Sequence, residues 1–227
     1  MPNYGPRVTI TLDVVTSVEK IARRMTLRAV DVMNKGFSSA LPIIQSKVPM
    51  IIASSIIGSP TYQELVTRGP LWGELGVINP APALDEMVQA VKNTAVIKLS
   101  RFRAVSTGGI TGKLQVRFVN SSMKDYINKE GEYVSAPSGS KIKWLEWLLR
   151  GGDGIIVRNW DFVLRDPEHS RTGTGIMVEV GAGSEGWRVP PGHSGTADNN
   201  FITRAIDENF NTIIKTITKE ILKGVTQ

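Results

Sequence analysis

The chain has 227 residues, enough for one well-buried core or two small lobes. Its 41% hydrophobic and 21% charged residues are those of a folded domain, which excludes disorder along the whole length. The lack of cysteine excludes disulfides and thiolate-held metals, and the net charge of +6 (pI near 9.6) allows nucleic acid or an acidic partner surface.

The first predicted element is a strand, in which Val8, Ile10, Leu12 and Val14 alternate with Thr9, Thr11 and Asp13. Thr16, with Glu19 three residues on, forms a capping-box pattern that opens a helix. Ile21, Met25, Ala29 and Val32 keep helical spacing, and Pro42 and Pro49 then demand a kink or a break. Ser17–Ser55 therefore reads as one bent helix or two abutting ones. Its apolar run around Ile51–Ile57 is too short to span a bilayer, and Met1–Gly5 lacks the layout of a secretion signal, so no membrane partner is expected.

Ser59-Pro60 starts a short helix over Thr61–Arg68, since serine caps and proline fits the first helical position. Pro70–Gly76 reads as a compact turn, and Pro82–Asn93 as an amphipathic helix with Leu84, Met87, Val88 and Val91 on one face. Ala95–Val105 and Lys113–Asn120 form a predicted hairpin around Gly108-Gly109. Tyr126–Gly139 reads as a loop and Lys141–Arg150 as a helix stopped by Gly151-Gly152. Strands follow at Ile155–Leu164 and Thr174–Val180. Asp198 or Asn199 then starts a final helix, with Phe201, Ile202, Ala205, Ile206, Phe210, Ile213, Ile214 and Ile217 on its apolar face. The order predicts an α+β fold: a mostly antiparallel sheet of about five strands, bracketed by a long N-terminal helix and a C-terminal helix. One domain over 1–227 is expected, with a helical insertion near 37–93, a sheet core near 94–185 and the C-terminal helix near 198–223.

Several patterns imitate chemistry without its context. Gly181-Ala182-Gly183-Ser184-Glu185-Gly186 has dinucleotide-loop spacing, but Trp187-Arg188-Val189-Pro190-Pro191 follows where that site needs a helix N-terminus. Gly112-Lys113 resembles the end of a P-loop, yet Leu114 stands where magnesium needs a hydroxyl. Of the two histidines, His169 lies in a polar loop with Asp166, Glu168 and Ser170, and His193 lies in a proline- and glycine-rich turn. Neither has a nucleophile elbow beside it. Asp153, Asp161 and Asp166 are too irregular for a calcium loop, and two isolated histidines do not make a zinc site. No catalytic residue, metal or cofactor is expected.

Two sets of residues remain as candidate interfaces. Lys98, Arg101, Arg103, Lys113 and Arg117 make the hairpin basic, suited to DNA phosphates, to an acidic neighbour, or simply to the solvated face of a sheet. Trp72 and Trp187, with Arg188, sit in proline- and glycine-rich loops, where tryptophan serves either as an interface anchor or as local packing.

Three stretches resemble the neck and tail-completion (head–tail joining) proteins of tailed bacteriophages. They are Ser59-Pro60-Thr61-Tyr62-Gln63-Glu64-Leu65 through Gly69-Pro70-Leu71-Trp72-Gly73-Glu74-Leu75-Gly76; Lys143-Trp144-Leu145-Glu146-Trp147-Leu148-Leu149 with Gly151-Gly152; and Trp187-Arg188-Val189-Pro190-Pro191 through Asn200-Phe201-Ile202-Thr203-Arg204-Ala205. Together they cover about a quarter of the chain. The added helical material between Gly36 and Asn93 departs from the smaller family members. The resemblance implies a non-enzymatic structural virion protein, assembled in the host cytoplasm. It would form a ring, commonly a hexamer, as a neck, tail-completion or tail-terminator component between the head connector and the tail tube or sheath. Passive contact with DNA in the channel would follow. The alternative expectation is a nucleic-acid-binding module that uses the basic β-hairpin.

Overall fold

The computed structural model describes residues 8–11, 20–105, 109–118, 126–127, 131–134, 141–163, 170, 173, 175–180 and 186–226, excluding the side chains of 8–24, 99, 117–118 and 133–134. His169 and the dinucleotide-like run 181–185 lie outside the described residues. The chain divides into two compact units. Unit 1 comprises Met1–Ile52, Lys92–Asn120 and Asn209–Gln227; unit 2 comprises Ala53–Val91 and Ser121–Glu208.

Unit 1 is built on a long helix and a three-stranded antiparallel sheet. Helix α1 (Lys20–Ile57) runs unbroken through Pro42 and Pro49, so the chain takes the single-helix alternative. Each proline removes one backbone donor, but Phe37, Ala40, Ile44, Val48 and Ile52 keep one buried face at helical spacing. That continuous apolar face outweighs two missing hydrogen bonds. The sheet has the order β1-β3-β2, with β1 at Val8–Thr11, β2 at Ala95–Ala104 and β3 at Ile110–Phe118.

β2 carries one extra residue against β3: Ser100 pairs with Lys113 but Arg103 pairs with Thr111. A bulge leaves backbone groups without ladder partners. Asn34 of α1 supplies them, donating from Nδ2 to the Phe102 carbonyl (3.0 Å) and accepting at Oδ1 from the Phe102 N–H (2.8 Å). The Phe102 ring stacks edge-on against Phe37 at 4.6 Å and covers Gly112, where a Cβ would lie 2.3 Å from the ring. Only glycine leaves room for it.

Helix α7 (Phe210–Thr226) packs on α1 through glycine. A Cβ on Gly224 would sit 2.2 Å from the Gly36 carbonyl oxygen, so the two backbones are in direct contact. Near this crossing the buried Glu220 carboxylate binds Lys47 at 2.8 Å and Lys223 at 3.5 Å.

Unit 2 gathers short helices and two small hairpins. Helix α2 (Pro60–Val66) starts as expected, with the Ser59 Oγ accepting the Tyr62 N–H. The expected turn after it is a helix, α3 (Pro70–Leu75): Pro70 fits its first position, and Gly76, at φ 63°, ends it in the left-handed conformation. Helix α4 (Ala81–Thr94) buries Ala83, Leu84, Met87, Val88 and Val91. The strands β4 (Tyr133–Val134) and β5 (Lys141–Ile142) pair with each other, so the predicted loop holds a strand and α5 begins only at Trp144, ending at Arg150. The strands β6 (Trp160–Val163) and β7 (Ile176–Glu179) form a third sheet.

The α+β class is observed, and every described strand pair is antiparallel. The expected single sheet of about five strands is not: the described strands fall into separate sheets of three, two and two. The later strands are only two to four residues long and bond to none of the other described strands, so they cannot extend the first sheet. The expected final helix is two, α6 (Phe201–Glu208) and α7, divided at Asn209. There the chain leaves unit 2, and the Asn209 carbonyl accepts from Thr212 and Ile213 to start the next helix.

Candidate functional site

Within unit 2 the segment from Gly186 to Asn200 is tied to its surroundings by many hydrogen bonds. It begins at Gly186, at φ +90°, where a Cβ would lie 2.3 Å from the Val157 carbonyl oxygen. Glycine lets Trp187 pair with Val157 in an isolated antiparallel bridge. The Trp187 ring then stacks edge-on with Trp147 at 5.9 Å, and its Nε1 donates to Glu74 Oε2 at 3.3 Å. Trp187 is only 6% exposed and Trp72 only 7%, so their rings pack within unit 2; Arg68 lies over the Trp72 ring at 5.5 Å. Arg188 is half-buried.

The segment then turns at Pro190, whose carbonyl accepts from both His193 and Ser194. Ser194 donates to Asp153 Oδ1 at 3.0 Å, and Gly152 N–H donates to the Gly195 carbonyl at 2.8 Å. Asn200, fully buried, is the cap of α6, in place of the expected Asp198 or Asn199. Its Oδ1 accepts from Ile202 and Thr203, and its Nδ2 donates to Thr196 and Leu149 carbonyls. Arg204 reaches back from α6 to the Ser194 and Gly192 carbonyls. The prolines that forbid a phosphate loop thus begin a clamped segment.

His193 joins this clamp to α2. Its Nδ1 lies 3.0 Å from Thr61 Oγ1, and its Nε2 lies 3.4 Å from Glu64 Oε1. Glu64 Oε2 also accepts the Leu71 N–H, which ties α3 to the same point. Hydroxyl, imidazole and carboxylate are the members of a hydrolytic triad, but their burial is inverted. Thr61, the only candidate nucleophile, is 2% exposed, whereas Glu64 is the most accessible of the three. A hydroxyl that substrate cannot reach performs no attack. The arrangement is a latch. Helical spacing puts Thr61 and Glu64 on one face, but nothing in the sequence brings in a histidine 132 residues away.

Burial governs the charges nearby. Glu74 is pushed above the usual carboxylate range chiefly by desolvation, with Glu64 and Asp161 adding repulsion while the Trp187 hydrogen bond and His193 oppose it. The Tyr62 phenol is pushed up to about 12, mainly by burial and then by its 2.9 Å hydrogen bond to Asp85. Among the described residues, no cluster of three or more histidines and carboxylates could hold a metal.

The predicted basic residues fall in unit 1. Lys98, Ser100 and Arg103 are exposed on β2, where Ile97 and Phe102 are buried; on β3, Lys113 and Gln115 alternate with the buried Leu114 and Val116. Arg101, in the bulge, is also exposed. Arg117 stands opposite Val96 in the ladder, and its side chain lies outside the described residues.

A surface the sequence reading missed lies along α1. Met25, Val32, Ile43 and Met50 are each more than two-fifths exposed. Their separations of seven, eleven and seven residues are near multiples of the helical repeat, so they form one stripe. The stretch Met25–Ile57 is long and apolar enough to cross a membrane by length and composition, a longer run than Ile51–Ile57 suggested. In this fold its opposite face is buried. No protein-family model, curated protein or solved structure matches the chain.

Proposed function

We propose that the protein is a structural subunit of the head–tail junction of a tailed phage. It self-associates into a ring, of neck, tail-completion or tail-terminator type, between the head connector and the tail. The observation that carries the assembly part is the stripe of Met25, Val32, Ile43 and Met50, four apolar side chains left in water on one face of a 38-residue helix. Apolar side chains aligned and exposed along one helix face are suited to a protein interface. Burying it against a neighbouring copy would recover about 25 cal/mol for each Å² of apolar area. The clamped 186–200 segment supports the same reading, since a ring subunit needs rigid surfaces. The phage setting rests on the three resembling stretches.

The test is oligomeric state, by light scattering and negative-stain microscopy, of the chain alone and mixed with the connector and tail proteins encoded beside it. Rings are expected, and Ile43→Glu with Met50→Glu should reduce them to monomers with unchanged circular dichroism. A wild-type chain that stays monomeric and binds none of those proteins would overturn the proposal.

A further inference from the structure

The two units divide the charge very unequally. Unit 1 contains sixteen lysines and arginines against four aspartates and glutamates, and unit 2 contains eleven against seventeen. The chain's modest +6 is therefore a surplus of twelve positive charges in unit 1, offset by six negative ones in unit 2.

Within unit 1 the surplus has a definite surface. No acidic residue occurs anywhere from Lys92 to Asn120, nor in β1. The sheet face away from Ile97, Phe102, Leu114 and Val116 carries Lys98, Arg103 and Lys113, with Ser100, Thr111 and Gln115 between them. Ser100 stands directly across from Lys113, Lys98 from Gln115, and Arg103 from Thr111. Among the described residues, Lys98, Arg101, Arg103 and Lys113 make no ion pair. Strand spacing of about 4.8 Å and a two-residue rise of about 6.8 Å hold the cations of this face close together. Lys113 is diagonal to both Lys98 and Arg103, about 8 Å from each by these spacings and close to the Debye length of about 8 Å at physiological salt, so neighbouring charges reinforce one another. A fold that only needed solubility would intersperse both signs.

We infer that this sheet face binds the phosphate backbone of duplex nucleic acid without reading sequence. Three features favour that partner. The cations are uncompensated, so each phosphate contact releases a counterion at no loss of an internal pair. The hydroxyls and amide interleaved with them donate to phosphate oxygens. Among the described side chains between Lys98 and Arg103, those that reach solvent are all polar, which suits phosphate better than a lipid surface. Among the described residues the face also has no exposed aromatic for stacking on single-stranded bases.

The experiment is fluorescence anisotropy of a labelled mixed-sequence DNA duplex with the full chain, at about 50 and about 200 mM salt. Three phosphate contacts should weaken binding about forty-fold between those salts, from a slope near −0.9 per contact. Lys98→Gln/Arg103→Gln/Lys113→Gln should abolish most of that dependence. The same number of changes in unit 2, Lys141→Gln/Lys143→Gln/Arg150→Gln, should leave it intact. Circular dichroism of both variants checks folding. The inference is overturned if the duplex is not retained at low salt or if the unit 1 variant binds as the wild type does. It is also overturned if phosphatidylserine vesicles or polyglutamate bind more tightly than the duplex.

Discussion

Replacing Asn34 by leucine removes one side chain of nearly constant size and strands two backbone groups. The Phe102 N–H and carbonyl lie in the β2 bulge, outside the paired register, and Asn34 satisfies both at 2.8 and 3.0 Å. Phe102 itself is 4% exposed, so water does not readily replace the amide. Leaving a buried polar group unsatisfied costs about 1–3 kcal/mol. Two groups, partly relieved by local adjustment, give an expected loss of about 3 kcal/mol. For a chain of this size that lowers Tm by about 6–12 °C. Urea denaturation followed by circular dichroism and tryptophan fluorescence measures it. Gln45→Leu is the internal comparison: its single bond to the Ile97 carbonyl is long, at 3.5 Å, and its loss should cost less than about 1 kcal/mol. If Asn34→Leu is as mild as Gln45→Leu, the bulge does not depend on the asparagine and the reasoning fails.

Two further outcomes follow from unit 1. Gly224→Ala places a methyl group 2.2 Å from the Gly36 carbonyl oxygen, so α7 must move away from α1. Overpacking of this kind costs about 1–3 kcal/mol, against a slight gain for alanine at an unconstrained helical site; a variant as stable as wild type in thermal melts would contradict the contact. The Lys47 hydrogen bond, aided by Lys223, holds the buried Glu220 carboxyl below the usual carboxylate range. A carboxylate lowered on folding contributes stability above its unfolded value, and that contribution is lost as pH falls towards the lowered one. Acid titration of Tm should thus show a loss beginning below about pH 4.5 that Lys47→Met diminishes, and identical profiles would refute it.

The α+β class and most of the helices were legible because each rests on local rules. Ser59-Pro60 caps α2 through a single hydroxyl, and the apolar spacing from Leu84 to Val91 makes α4 amphipathic wherever it packs. The hairpin of β2 and β3 was readable from strand alternation. The strand count was not: Tyr133–Val134 and Lys141–Ile142 are too short for periodicity, and only their pairing with each other makes them strands. The latch was equally hidden, since Thr61 and Glu64 acquire a role only when the proline-led turn delivers His193.

The clamped stretch from Trp187 to Arg204 shows where the division falls. Its sequence by itself ruled out a nucleotide loop, because Pro190 and Pro191 would fall inside the helix that must follow the glycines to hold a pyrophosphate. The basic composition of the hairpin, too, was plain from the residues alone. Only the tertiary structure decided that Trp187 is packed inward on Trp147 and Glu74. The same is true of the segregation of charge into unit 1, whose three chain segments are distant in sequence. Backbone stiffness and side-chain charge belong to single residues, whereas burial and electric field are summed over neighbours that only folding brings together.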